Sequence, residues 1–253
     1  MNNKIAFIIQ ARLGSTRLPN KIILPFYNDE SIIRLLIHKL KRFEECRVIL
    51  ATSVDERNLP LVEIAKEEKI EFFRGSENDV IKRFVDTAES FGVEHIIRIC
   101  SDNPLLDMES LQQLLDVVRS VDNIDYVSFN VNNTPSIKTH FGFWAEYVTL
   151  EALRRVIEYT DEKLYHEHVT NYIYSHPELF RIKWIDVPQC LQGRHDIRLT
   201  IDTENDFKNV QKIYETLYGS DKKNSSIASV VEYIDSHSEC LSIMKQEIIN
   251  NTK

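Results

Sequence analysis

Residues 10–21 read QARLGSTRLPNK and gather Arg12, Arg17 and Lys21 around Gly14, Ser15 and Thr16. Three cations within ten residues, beside a glycine that lets backbone N–H groups come close, suit a chain of phosphates. Pro19 stiffens the exit from this stretch. No G-K-[ST] follows, so it is not a P-loop, and the dinucleotide fingerprint G-x-G-x-x-G is absent. A solvated basic turn is the competing reading. Elsewhere Asp102 in RICSDNPLLD (98–107) puts a carboxylate on the loop after a strand-like run. Such a group suits Mg²⁺, which takes one or two protein carboxylates and completes its shell with phosphate oxygens and water. Asp102 has an alternative role as a helix cap, but Asp107 is nearer to the helix that begins there.

The run from Ala11 to Lys21, A-R-x-G-S-x-R-x-P-x-K, resembles the signature of the CMP-sugar synthetases, the acylneuraminate and KDO cytidylyltransferases, and more closely the spore-coat polysaccharide protein F-like branch. The resemblance implies a nucleotidyltransferase of the GT-A-like α/β fold. It places Arg12, Ser15, Arg17 and Lys21 on the phosphates of CTP, with Arg12, Lys21 and Asp102 as catalytic groups. Ala51, Thr52 and Ser53 in ATSVDERN (51–58) would read the base, and Gly75, Asp79 and Arg83 in FRGSENDVIKRF (73–84) would line the nucleotide pocket. Asp102 and Asp202 would share Mg²⁺, with Mn²⁺ as a substitute. Gly142 and Glu146 in FGFWAEYVTLEALRRV (141–156), His168 in EHVTNYI (167–173) and Arg198 would face the acceptor. A homodimer is implied as well. The match covers residues 4–104 well and 142–206 more loosely.

On residue type alone these segments say less. A Thr–Ser pair after a strand is an ordinary turn or cap, and Ser76 to Asp79 is a good helix start with Arg83 one turn beyond Asp79. Phe143 and Trp144 stand where that branch carries more polar residues. His166 and His168 on a helical pattern point to different faces, which argues against a dedicated zinc site.

The implied activity is transfer of CMP from CTP to a small acidic or phosphorylated, sugar-like acceptor, releasing pyrophosphate, for surface polysaccharide or glycan biosynthesis. One rival is a GT-A-type glycosyltransferase that consumes a nucleotide sugar. Such enzymes commonly hold their metal through D-x-D, which this chain lacks. The other is a non-catalytic nucleotide-binding module, against which Arg12, Lys21, Asp102 and Asp202 all stand intact.

The elements that must position these residues are legible from periodicity. Apolar runs at 4–9, 47–51, 70–73 and 95–99 read as strands. Between the first two, Ile32, Ile33, Leu35, Leu36, Leu40 and Phe43 recur at helical spacing, and stretches near 57–68, 79–91 and 108–121 do the same. Strand and helix alternating at this pace predict a mainly parallel sheet with helices on both faces, and a ligand site at the carboxyl ends of its strands. Further on, the pattern predicts a strand at 125–130, helices near 149–160 and 164–175, strands at 179–187 and 197–201, and two final helices. A single domain over 1–253 is expected, with an acceptor or dimerisation lobe at about 132–195 that returns to the sheet at 197–201.

Composition narrows the classes further. The 253 residues are 43% hydrophobic, as in an ordinary globular chain able to bury a core. A net charge of −8 argues against a nucleic-acid partner, so any anionic ligand needs a local basic site. The opening apolar run of five residues is too short for a signal peptide or a membrane span, and a cytoplasmic protein with no membrane partner is expected. Cys46, Cys100, Cys190 and Cys240 are far apart and read as reduced thiols.

Overall fold

The computed structural model describes residues 4–218 and 226–251. Its first strand, β1 (Ile5–Gln10), lies inside the sheet and is buried on both faces. Alternation of side chains makes this so. Ala6 and Ile8 join the core beneath α3 (Val80–Phe91) and α5 (Leu150–Tyr159). Phe7 and Ile9 join the opposite core with α1 (Ile32–Leu40) and α4 (Met108–Ser120). A small antiparallel ribbon, β2 (Pro25–Tyr27) and β3 (Glu30–Ser31), precedes α1.

β4 (Arg47–Ser53) and β6 (His95–Cys100) flank β1 in parallel register. β5 (Glu71–Gly75), reached through α2 (Leu59–Glu67), extends the parallel part on the far side of β4. Side chains of Asp79, Asp107 and Thr149 accept backbone N–H groups at the starts of α3, α4 and α5. Asp107 thus takes the capping role that the sequence left open between it and Asp102. α3 stops at Gly92, whose φ of 64° the absent side chain permits.

On the other side of β6 the strand direction changes. β9 (Glu146–Thr149) runs antiparallel to both β6 and β7 (Tyr126–Val131), and β10 (Ile182–Asp186) closes the edge parallel to β7. β8 (Thr134–Pro135) folds back onto β7. Residues 132–195 therefore contribute β9 and β10 to the central sheet. The helix expected at 164–175 is two short ones, α6 (Lys163–Glu167) and α7 (Asn171–Ser175), separated at His168 to Thr170.

Residues 197–201, expected as a strand, join no ladder. The Leu199 and Thr200 N–H groups both donate to the His140 carbonyl, at 2.7 and 3.1 Å, and Ile201 N donates to Asp102 O at 3.0 Å. The segment is apolar for burial against loops, and its backbone bonds go to two isolated carbonyls. Beyond it the described residues form three helices, where two were expected: α8 (Glu204–Tyr218), α9 (Ile227–Ser236) and α10 (Ser238–Asn250). No helix among the described residues is long and apolar enough to cross a membrane.

The loop leaving β6 is clamped from α1. The Lys39 amine donates to Pro104 O at 2.8 Å and lies about 5 Å from the Tyr214 and Tyr218 rings. Burial pulls it down to about 7, with Asp107 opposing. Above that pH the folded chain has released a proton that the unfolded chain keeps, so this group makes stability rise with pH. Urea titrations should show the wild type gaining stability relative to Lys39→Met between roughly pH 7 and 9. A difference independent of pH would mean that the amine keeps its charge.

Candidate active site

A cleft of about 360 Å³ opens at the carboxyl ends of β1 and β6. One wall is the turn after β1, with Arg12, Gly14, Ser15, Arg17 and Lys21, and the facing wall carries Asp102 and Asp202. The turn is fixed from beneath. Leu13 N donates to Asn58 Oδ1 at 2.7 Å, and Asn58 Nδ2 donates to Ser53 Oγ at 2.7 Å. Ala11 N continues the sheet by donating to Ala51 O, and Asn20 at φ 60° completes the reversal.

The charges meet at Lys21. Its ammonium lies 3.4 Å from Asp102 Oδ2 and 3.1 Å from Asp202 Oδ1, and it donates to the Ile201 carbonyl. Arg17 Nη2 also reaches Asp202 Oδ1, at 3.1 Å. Behind Asp202 stands Arg198, wholly buried, with Nη2 on Asp202 Oδ2 at 3.0 Å and Nε on Asp206 Oδ1 at 2.8 Å. Asp206 in turn accepts the Asp202 and Thr203 N–H groups, both at 3.0 Å, while Thr203 Oγ1 accepts Asp206 N at 3.1 Å. This reciprocal cap starts α8 and fixes the turn on which Asp202 sits.

The two carboxylates fit a divalent cation. Hard oxygens from two segments face one cleft, where a cationic group already satisfies both. Among the described residues no group of three or more His, Cys, Asp or Glu could hold a metal, and an ion held by two carboxylates would complete its shell with other oxygens. His166, weighed for zinc, instead lies 3.0 Å from Asp79 Oδ2 and pairs with Thr160 O. Burial opposes its charged form, but the Thr160 carbonyl and Asp79 outweigh that and raise its pKa.

The remaining expected contacts divide in two. Gly142 and His168 line the cleft. Gly142 has φ +66°, and a Cβ there would come within 3.2 Å of Asn103 Oδ1 and 3.3 Å of the Leu199 carbonyl, so the position demands glycine. Glu146 and Arg198 are enclosed behind the wall, which corrects their expected direct contact with an acceptor. Glu146 faces Arg98 across the β6–β9 ladder, 2.7 Å from its Nη1, and also takes the Tyr126 hydroxyl and Thr170 Oγ1.

Thr52 and Ser53 are wholly buried, and Ser53 Oγ serves Asn58 and Asp55 N, so Ser53 supports the turn where base contact was expected. Ala51 is likewise enclosed. Gly75 packs against Arg83, since a Cβ on it would lie 2.9 Å from Arg83 Cγ. Arg83 is buried and donates to Ser76 O, while its Nε and Nη2 have no partner among the described residues. Asp79 caps α3 through Lys82 N.

Several residues of the site escaped the sequence reading. Arg98 lines the cleft with Gln10, whose Oε1 it contacts at 3.2 and 3.1 Å. Ser136, Thr139 and Trp144 line its other end. Asp206, three residues after Thr203, carried a readable capping signal, whereas Asn58 and Arg98 carried none.

A cationic turn after the first strand of a mainly parallel sheet, facing two carboxylates, marks this protein as a nucleotidyltransferase. Residues 6–228 match the family model described as Cytidylyltransferase, and the chain belongs to that family. The spore coat polysaccharide biosynthesis protein SpsF of Bacillus subtilis is 34% identical over 221 residues, 84% of this chain and 87% of that one. A cytidylyltransferase from Leptospira borgpetersenii superposes with a TM-score of 0.80 at 28% identity, covering 94% of this chain and 96% of the other. CMP:2-keto-3-deoxy-manno-octonic acid synthetase, solved in complex with CTP, gives a TM-score of 0.63 at 13% identity over 84% and 99% of the two chains, a likeness of fold.

Removing one partner of a buried ion pair strands the other charge, at about 3–5 kcal/mol. Asp206→Ala should lower the unfolding free energy in guanidinium titrations by about that much, since Arg198 then keeps Asp202 as its one carboxylate among the described residues, beside the His140 ring. A loss under about 1 kcal/mol would mean that water or a shifted backbone replaces the carboxylate.

Proposed function

We propose that this chain transfers CMP from CTP to a small acidic or phosphorylated, sugar-like acceptor, in surface polysaccharide biosynthesis. The observation that carries this reading is the Lys21 ammonium placed between Asp102 and Asp202 at the end of the turn that also bears Arg12 and Arg17. Three cations there would take the oxygens of a triphosphate, and the preference for CTP is supported by the family match and by the CTP complex of a protein with this fold. Polysaccharide biosynthesis is named for SpsF, and that relative supports the acceptor class.

The chemistry follows from charge. An acceptor oxygen attacks the α-phosphorus, and the bond to the β-phosphate oxygen breaks, so negative charge grows on the departing pyrophosphate. Lys21 and Arg17, both held by Asp202, and Arg12 beside them would stabilise that charge, and groups already in place reorganise less than water. Mg²⁺, or Mn²⁺ in its place, held by Asp102 and Asp202, would neutralise phosphate oxygens and align them for attack. Phosphate oxygens entering the cleft also give Lys21 and Arg17 new partners.

At the other end, Gln10, Ser136, Thr139 and His168 offer polar groups to an acceptor, next to Arg98, which Glu146 neutralises. The resemblance supports a homodimer, and a need for CTP supports a cytoplasmic site of action.

Purified protein supplied with CTP, Mg²⁺ and a panel of acidic sugars and polyol phosphates should release pyrophosphate only when a matching acceptor is present. Absence of release across the panel, together with no binding of CTP, would overturn the reading. Lys21→Ala and Asp102→Ala should each reduce turnover at least about a hundredfold, the scale for losing one preorganised electrostatic group. Near-normal rates in both would remove those assignments.

A further inference from the structure

We infer that the carboxyl-terminal helix α10 is part of the active site, with Glu247 and Asn251 as positioning residues for Asp202 and Arg17. This rests on the function proposed above. Glu247 is only 5% exposed, and α10 packs on α8 beside the Asp202 turn. Its Oε2 accepts from Thr203 Oγ1 at 3.0 Å and its Oε1 from Asn205 Nδ2 at 2.8 Å. Both donors stand within three residues of Asp202.

Asn251, just past the end of α10, completes the connection. Its Nδ2 donates to Glu247 O and Oε2, each at 3.0 Å, and its Oδ1 accepts from Arg17 Nη1 at 2.9 Å. Arg17 reaches Asp202 with its other terminal nitrogen. The contacts therefore close a ring: Asp202 to Arg17, Arg17 to Asn251, Asn251 to Glu247, Glu247 to Thr203, and Thr203 through the chain to Asp202.

Packing alone does not account for Glu247. No ion pair to it forms among the described residues, and a buried carboxylate served by neutral donors costs more than an aliphatic side chain would in the same groove. What the carboxylate provides is directional acceptors for two residues of the Asp202 turn. Arg17 gains in the same way. A guanidinium on a long flexible stem is held beside the cleft before any phosphate arrives, so less ordering remains to be done on binding. Outer groups that orient such ligands typically matter by 10–100-fold in affinity or activity.

The decisive experiment measures CTP affinity by calorimetry in Mg²⁺ without acceptor, pyrophosphate release with acceptor, and thermal stability, for wild type, Asn251→Ala, Glu247→Ala and Glu247→Gln. Asn251→Ala lies past the helix end and should stay folded with only a small drop in melting temperature while weakening CTP about tenfold and raising its KM alike. Glu247→Ala should lower kcat about tenfold or more and raise the Mg²⁺ concentration for half-maximal rate, with Glu247→Gln recovering part of the loss. Should Asn251→Ala and a folded Glu247→Ala both bind CTP and turn over like wild type, the inference is wrong. If Glu247→Ala does not fold, unchanged CTP affinity in Asn251→Ala overturns it by itself. Wild type that neither binds CTP nor releases pyrophosphate would instead sink the underlying function, and this inference with it.

Discussion

An ammonium shared by two carboxylates from distant points of the chain is the constraint around which this molecule is arranged. Lys21 is separated from Asp102 by 81 positions and from Asp202 by 181. Such a half-buried ion cluster is a poor source of stability, because desolvation offsets much of the attraction. Its value is placement. Three cations on one short turn would repel one another and splay into solvent without acids opposite them. Facing acids bring the turn to the cleft and leave it ready to exchange one set of oxygens for another.

The surrounding fold serves to hold those few groups still. Asn58 and Ser53 grip the turn from the neighbouring strand, and Lys39 ties down the loop that bears Asp102. Arg198 and Asp206 lock the turn that bears Asp202, while Glu146 neutralises Arg98 at the cleft wall. Tyr126, its phenol pushed well above its ordinary pKa by burial and then by Glu146, stays protonated and remains a donor to that carboxylate. Each support is partnered by hydrogen bonds or an opposite charge, and the cleft above them stays open to solvent.

The likeness to a CTP-bound synthetase at 13% identity illustrates how little sequence this scaffold requires. The fold supplies a cleft at the ends of parallel strands, and chemistry is assigned by the few residues on the loops. In this chain those loops carry the cations and acids described above. Another part of the cleft is built differently, from Trp144 stacked on Phe129 together with a few small polar groups.

The amino-acid order by itself determined the parallel half of the sheet and the basic turn. Apolar strands and helical periodicity are local signals, and Arg12, Arg17 and Lys21 are near neighbours in the chain. It also marked Asp102 and Asp202 as acids after apolar runs. Tertiary structure alone decided which side chains face the cleft. Glu146 and Arg198 sit in segments that match the family pattern, yet a period-two strand and a backbone hooked to His140 turn them inward, where each meets a buried opposite charge. Residues 197–201 look like a strand because they are apolar, but burial against loops demands the same composition without a ladder. The approach of α10 to Arg17 was invisible for a simpler reason: a contact spanning 234 positions leaves no periodicity for a reader to find.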